Sequence, residues 1–581
     1  MFSRVCIAAS LWSLLTSAQT GQVCPLLGPI YPPPAHPSTS KEFGLAQQNT
    51  QTVLNDALLT GSTKFGPLDN TTISFSIQGF SLENDSPIFD YNFAAPGLNG
   101  SLTSGTLDSS TTYRIGSMSK LLTVYTLLRS SGFSDFSQSI TKFVPELAKQ
   151  SCSKEDDLDK VCWGDVTVGA LASHMAGILR EYALSDLAVA DGSLTQYGFP
   201  VLNPSAVPSC GYPNPKPCSR QEFFNGLAAF HPVFPPFTTP VYSNVAFQLL
   251  GYAIESVTGR SFNDVLTTEV LKPLGASSTS LALPRNYTNA IIPFNATVSG
   301  WDADAADEGP AGGMYSTTSD FSKIGRSILN FTLLGASMTR AWMKPLTHTS
   351  SLTFSVGAPW EIIRVSLPLQ RNSTSTRIVD LYTKSGNIGL YSAIVVLSPD
   401  HNFGFTILST GVNSEQQVLI LSNLLTDIWL PAFEAAAMEE ANARFVGTYA
   451  DPASQNDTFI TVSFDRNVPG LGISEWKSRG VDIKAAYLLL QNAPSNSTLS
   501  ISLYPTGLGD SLDVGFRATL DVLPETDTIG AFSTKCTDWA AVDGAAYGKV
   551  GIDEFVFGLD KCDGKAASLS PRVLRQKLVR V

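Results

Sequence analysis

Apolar runs and their spacing set out the main elements of the chain. Leu121-Leu122-Thr123-Val124-Tyr125-Thr126-Leu127-Leu128 has almost no polar relief, which predicts a buried helix opening near Ser117. Val245, Leu249, Leu250, Ala253, Ile254 and Val257 recur at helical spacing, from Ser243-Asn244 to a stop at Gly259. After Lys384 two strand-like runs, 390–397 and 403–408, flank a hairpin turn at Ser398-Pro399-Asp400-His401-Asn402. The alternation Ile73-Ser74-Phe75-Ser76-Ile77 predicts a further strand. A helical stretch runs from Glu415 to Ala443. From Phe445 onward the pattern becomes short alternating strands and turns, which predicts a separate β-rich domain.

At 581 residues, 43% hydrophobic and 15% charged, the chain is long enough for two or three domains and a large core. A net charge of −12 without basic runs argues against nucleic-acid binding. Arg4, the apolar stretch 5–15 and Thr16-Ser17-Ala18 have the form of a cleaved secretion signal, too short to span a bilayer. No later membrane span is expected. Residues 19–45, with Tyr31-Pro32-Pro33-Pro34, read as a proline-rich arm. Seven cysteines follow the signal, and proximity suggests the pairs Cys152–Cys162, Cys210–Cys218 and Cys536–Cys562, with Cys24 left over. Asn-x-Ser/Thr acceptors stand at Asn70, Asn84, Asn99, Asn286, Asn295, Asn330, Asn372, Asn456 and Asn496. Together these features predict a secreted, N-glycosylated protein. No zinc spacing is present, so no metal is expected.

The chemistry concentrates at Ser117-Met118-Ser119-Lys120. A serine in the first turn of a buried helix lies near its positive end, and a lysine three residues on shares its face. Nucleophile plus adjacent base makes a weak alcohol reactive. Ser38/Lys41, Ser139/Lys142, Ser151/Lys154 and Ser474/Lys477 repeat the spacing in polar surroundings, so partners must decide. One candidate is Tyr242-Ser243-Asn244, at the start of the second buried helix, where phenol and amide can face one cavity. Tyr212-Pro213-Asn214 and Tyr287-Thr288-Asn289 share its spacing but not its position, and a plain N-cap is the simpler role for Ser243 or Asn244. The other candidate is Lys384-Ser385-Gly386, where the lysine and hydroxyl can bind a substrate carboxylate and glycine permits close approach. The backbone amides of Ser117 and Asn387 are candidates for an oxyanion hole.

Ser-x-x-Lys, Tyr-x-Asn and Lys-Ser-Gly in this order resemble the serine β-lactamase and penicillin-binding-protein superfamily, most closely its class C and esterase branch, in a eukaryotic, fungal, secreted form. Leu171-Ala172-Ser173-His174-Met175-Ala176-Gly177-Ile178 resembles the family's His-x-x-Gly loop, and Lys272-Pro273-Leu274-Gly275 and the 312–320 segment resemble two further landmarks. The resemblance implies an α+β fold: an antiparallel sheet flanked by helices with an all-helical subdomain, over residues 46–440, and a β-rich domain over 441–581. It implies Ser117 as acylated nucleophile, Lys120 and Tyr242 as the general-base pair, and Asn244 and Lys384 as substrate and network residues, without a cofactor. Loops 178–240 and 285–312 are expected to line the cleft, and His174 to be structural. The substrate expected is a small-molecule or peptide acyl compound. Acyl transfer in a tailoring step of secondary metabolism, or a catalytically silent binding protein, are the alternative readings.

Overall fold

The computed structural model describes residues 24–150, 152, 157–184, 186–190, 194–211, 216–284, 288–369, 373, 375–454, 457–465, 468–524 and 536–581. The signal segment, Asn286, Asn372 and Asn456 lie outside the described residues, as do the Tyr-x-Asn copies at 212–214 and 287. The chain divides into two compact units, one of residues 33–367 and 378–440, the other of the remaining N-terminal segment, 368–377 and 441–581.

The larger unit is built on an eight-stranded antiparallel sheet. Its middle strands are Ser74–Ser81, Phe403–Thr410, Tyr391–Ser398 and Thr376–Ile388, in that spatial order. The first three are buried at every residue, because both faces of the sheet are covered. This is why the strands Tyr391–Ser398 and Phe403–Thr410 read as apolar runs, while Ser74–Ser81 keeps an alternating pattern by burying small serines on one face. On one face Phe75, Ile77, Phe405 and Ile407 pack with Phe43, Leu54, Leu421, Leu425, Trp429 and Phe433. These last come from the helices Lys41–Thr60 and Ser414–Phe445. The latter is long and apolar enough to cross a bilayer, yet more than half of its apolar window is buried in the fold. On the other face Leu397 and Leu408 join a second core with Phe321, Ile324, Leu121, Leu122, Phe247 and Leu250. Those residues belong to the helices Thr318–Leu329, Ser119–Ser131 and Val245–Thr258. The fold is therefore the expected α+β arrangement of sheet, flanking helices and helical subdomain.

Two boundaries differ from the sequence reading. The arm ends earlier than residue 45, since Ser40 caps a helix that begins at Lys41, its hydroxyl accepting from the Glu42 amide at 3.2 Å. Lys384-Ser385-Gly386 does not lead into the 390–397 run. It lies inside a strand of its own, Thr376–Ile388, which forms a hairpin with Tyr391–Ser398.

The smaller unit is β-rich. Its strands form a nine-stranded antiparallel sheet in which Phe459–Ser463 pairs both with Gly447–Ala450 and with Leu471–Ser478, so the sheet closes into a barrel. Phe445, Tyr449, Phe516, Phe555, Phe557 and Trp476 fill its interior through edge-on and tilted ring contacts. Leu578–Arg580 is the last strand.

Disulfides join Cys152 to Cys162 and Cys210 to Cys218, as proximity suggests. The third corrects the sequence reading: Cys536 joins Cys24, across 512 residues, and Cys562 is free and exposed. Residues 24–32 belong to the same compact unit as the barrel, so spatial proximity overrides sequence proximity there. Peptide mapping without reduction is predicted to recover a Cys24–Cys536 peptide and an alkylated Cys562. A Cys536–Cys562 peptide contradicts this pairing.

Candidate active site

Ser117 sits in a short 3-10 turn, Gly116–Met118, directly before the helix Ser119–Ser131. The Ser119 hydroxyl ties this turn down, donating to the Gly116 carbonyl at 2.7 Å and accepting from the Met314 amide at 3.2 Å. Lys120 is fully buried, and its Nζ donates to Ser117 Oγ at 3.0 Å, to the Ala311 carbonyl at 2.6 Å and to Asn244 Oδ1. Three donors thus meet three acceptors, as a buried ammonium requires. The Ala311 carbonyl is delivered by the segment 300–313. Buried Arg114 holds that segment through the carbonyls of Gly300 (2.8 Å) and Ala303 (2.7 Å).

Tyr242 and Asn244 precede the helix Val245–Thr258. The capping role falls to Ser243, whose hydroxyl accepts from the Ala246 amide at 3.0 Å. The Asn244 side chain makes no cap bond, which frees its amide for Lys120. The Tyr242 hydroxyl interacts with both Ser117 and Lys120. Burial alone would raise its pKa, but the Lys120 and Lys384 ammoniums outweigh burial and hold the phenol below its ordinary value of 10.0. Burial, with the Lys384 charge behind it, likewise keeps Lys120 below its ordinary value, against opposing pulls from Tyr242 and Glu181. His174 stacks on the Tyr242 ring at 4.4 Å between centroids and accepts from the Ser243 amide at 3.1 Å through Nδ1. Burial and then the charges of Lys120, Lys384 and Arg180 push it far below its usual value, so it is a neutral packing platform for the phenol.

Lys384 is buried inside its strand, 5.6 Å from the Tyr242 ring centroid. Its Nζ meets Glu361 Oε1 at 2.5 Å, and the other Glu361 oxygen accepts from the Ser385 amide and hydroxyl, both at 2.8 Å. Burial would lower the Lys384 pKa, but Glu361 and Tyr242 raise it overall, so this lysine stays charged. Glu361 carries no signal in the sequence, because it stands in an ordinary alternating strand, Glu361–Pro368. Gly386 explains its own identity. A Cβ there would stand 2.2 Å from the Ile115 carbonyl oxygen and 2.6 Å from the Ser117 amide nitrogen. A Cβ on Gly116, whose φ is +50°, would likewise meet the Asn387 amide nitrogen at 2.6 Å. The backbones that carry Ser117 and Asn387 are therefore in direct contact. All eight residues singled out in the sequence converge on one site.

The family model for "Beta-lactamase" matches residues 91–425, more than half of the chain and the whole of this constellation. The chain belongs to the β-lactamase family. A second model, "Beta-lactamase-like-like, C-terminal domain", matches residues 437–581 of this β-lactamase family member, the barrel. The chain is 27% identical over 617 residues to "Beta-lactamase-like protein" of Arthroderma benhamiae, covering 99% of each. It is 28% identical over 491 residues to "Probable hydrolase M10" of Phoma sp., covering 82% of this chain and 76% of that one. Among solved structures, a β-lactamase/D-alanine carboxypeptidase from Yersinia pestis aligns with a TM-score of 0.47 at 17% identity, over 66% of this chain and 99% of that one.

Gly386→Ala tests the contact between strand and serine turn. The added methyl is predicted to cost about 1–3 kcal/mol in urea unfolding and to reduce Ser117 reactivity. An unchanged midpoint with unchanged reactivity contradicts the packing described.

Proposed function

We propose that this member of a hydrolase family is a secreted serine hydrolase that cleaves an ester, amide or lactam carbonyl through an acyl-enzyme on Ser117. The observation that carries the reading is the pair of basic groups on one hydroxyl: Lys120 Nζ lies 3.0 Å from Ser117 Oγ, and the Tyr242 phenol meets both. In this reading the neutral form of Lys120, still donating to Asn244 and the Ala311 carbonyl, turns its lone pair to Ser117 and with Tyr242 takes the serine proton as Oγ attacks the carbonyl carbon. The tetrahedral oxyanion rests on the amides of Ser117 and Asn387. The proton then passes to the leaving group, the acyl ester forms on Oγ, and water, deprotonated by the same pair, releases the acid. Asn244 and Lys384 orient the substrate, with Lys384 receiving a carboxylate or carbonyl.

Hydrolysis is favoured over acyl transfer by the name of the Phoma relative, "Probable hydrolase M10". Secretion is supported by the form of the N-terminal segment and by three disulfides, which persist in an oxidising compartment. The substrate class is a small-molecule or peptide acyl compound.

A fluorophosphonate probe tests the reading. Mass spectrometry is predicted to place the label on Ser117 and to find none in Ser117→Ala. Lys120→Met is predicted to slow labelling about 10²–10⁴-fold. Because Tyr242 and Lys120 both titrate below their ordinary values, the labelling rate should rise with pH and level off below pH 10.0. Label on another residue, or undiminished label in Ser117→Ala, rejects the proposal.

A further inference from the structure

Lys120 and Asn244 rest on two carboxyl groups that none of the motifs contains. An ammonium only donates, and an ionised carboxylate only accepts. Asn244 stands between one of each: its Oδ1 accepts from Lys120 Nζ, and its Nδ2 donates to Glu181 Oε1. Turning the amide over would set Nδ2 against the ammonium and Oδ1 against the carboxylate. Glu181 therefore decides which end of the amide Lys120 meets.

Glu181 is only 8% exposed, and its second oxygen, Oε2, is buried and meets no N–H or hydroxyl donor among the described residues. The Glu308 carboxyl, at the end of the turn Ala306–Glu308, lies against Glu181. If both carboxyls were ionised, Oε2 would stay buried and unmet, which is costly. A proton on Glu308 supplies the missing donor. Burial first, then the Glu181 charge, pushes Glu308 well above the usual carboxylate range, while Lys120 pulls the other way. Lys120 is the cation that acts on both carboxyls. Asp307, next along the chain, is engaged by the Tyr252 hydroxyl at 2.7 Å. Tyr242 and Lys384 act on Lys120 itself, and the Lys120 charge acts on His174.

We propose that Glu181 and Glu308 share one proton and serve as positioning residues, locking the Asn244 amide in the orientation that holds Lys120 on Ser117. The pair then places a single negative charge beside the ammonium in place of two. This inference rests on the reading of Ser117 and Lys120 as nucleophile and base.

Two measurements test it. Since Glu308 titrates higher in the folded than in the unfolded chain, the stability it lends is fully present at low pH and is lost as pH rises through its folded titration. Glutamine offers a donor at every pH. The thermal midpoint of Glu308→Gln relative to wild type is therefore predicted to rise by several degrees from about pH 4.5 to about pH 9. A difference that stays flat with pH overturns the shared proton. The second readout is the rate of Ser117 labelling by the fluorophosphonate as a function of pH. Glu308→Gln should stay within about threefold of wild type, whereas Glu308→Ala and Glu181→Gln should fall about tenfold or more, the loss of one charge-assisted hydrogen bond. In Glu181→Gln the acid limb should also move to lower pH, because Lys120 loses an anion that holds its proton. Equal rates in all variants, or an unmoved acid limb in Glu181→Gln, overturn the positioning role. An unlabelled wild-type Ser117 would reject the nucleophile reading instead, and the thermal comparison would still decide on the proton.

Discussion

Everything at the site depends on keeping one cation, Lys120, completely out of water. A lone buried ammonium is costly, and it is tolerated only when every donor is met and nearby charges balance it. The acceptors come from three separate stretches: Ser117 on its own turn, Asn244 ahead of the helix Val245–Thr258, and the Ala311 carbonyl from the 300–313 segment. Each stretch is fixed by a bond that has nothing to do with catalysis, namely the Ser119 hydroxyl, the Ser243 cap and the Arg114 guanidinium. Packing therefore holds the Lys120 amine 3.0 Å from the Ser117 hydroxyl.

A second lysine completes the field. Lys384 stays charged because Glu361 faces it, and its charge in turn lowers both Tyr242 and Lys120. Two buried ammoniums around one phenol favour a proton acceptor below the ordinary range of tyrosine. The strand that carries Lys384 can approach the serine turn only because Gly386 and Gly116 leave no Cβ between the two backbones. The sheet behind it is covered on both faces, which gives that approach a rigid base.

Much of this was legible in the chain. The helix after Ser117, the helix after Asn244 and the hairpin at 398–402 all announce themselves through apolar spacing, since tertiary burial there coincides with local pattern. The three motifs were readable because each combines a chemical group with an element start or a strand. What stayed hidden was polar and distant in sequence. Glu361 looks like the exposed side of a strand, and Glu308 ends the acidic stretch 302–308 of a loop that is expected to line the cleft but has no pattern that singles out one residue. Glu181 lies in a loop with no periodicity. Their roles come from partners 23, 127 and 63 residues away or in another unit of pattern altogether, as with Glu361 and Lys384, Glu181 and Glu308, and Glu181 and Asn244. The Cys24–Cys536 bond was missed for the same reason, because its loop spans almost the whole chain.

The central claim, that Ser117 carries the acyl group, is tested most directly by intact-mass spectrometry on protein acid-quenched soon after mixing with p-nitrophenyl esters of short acids. The account predicts a mass increase equal to the acyl group, located on Ser117, and its absence in Ser117→Ala. Continued release of p-nitrophenolate by Ser117→Ala at the wild-type rate, with no acyl group on the wild-type serine, would contradict it.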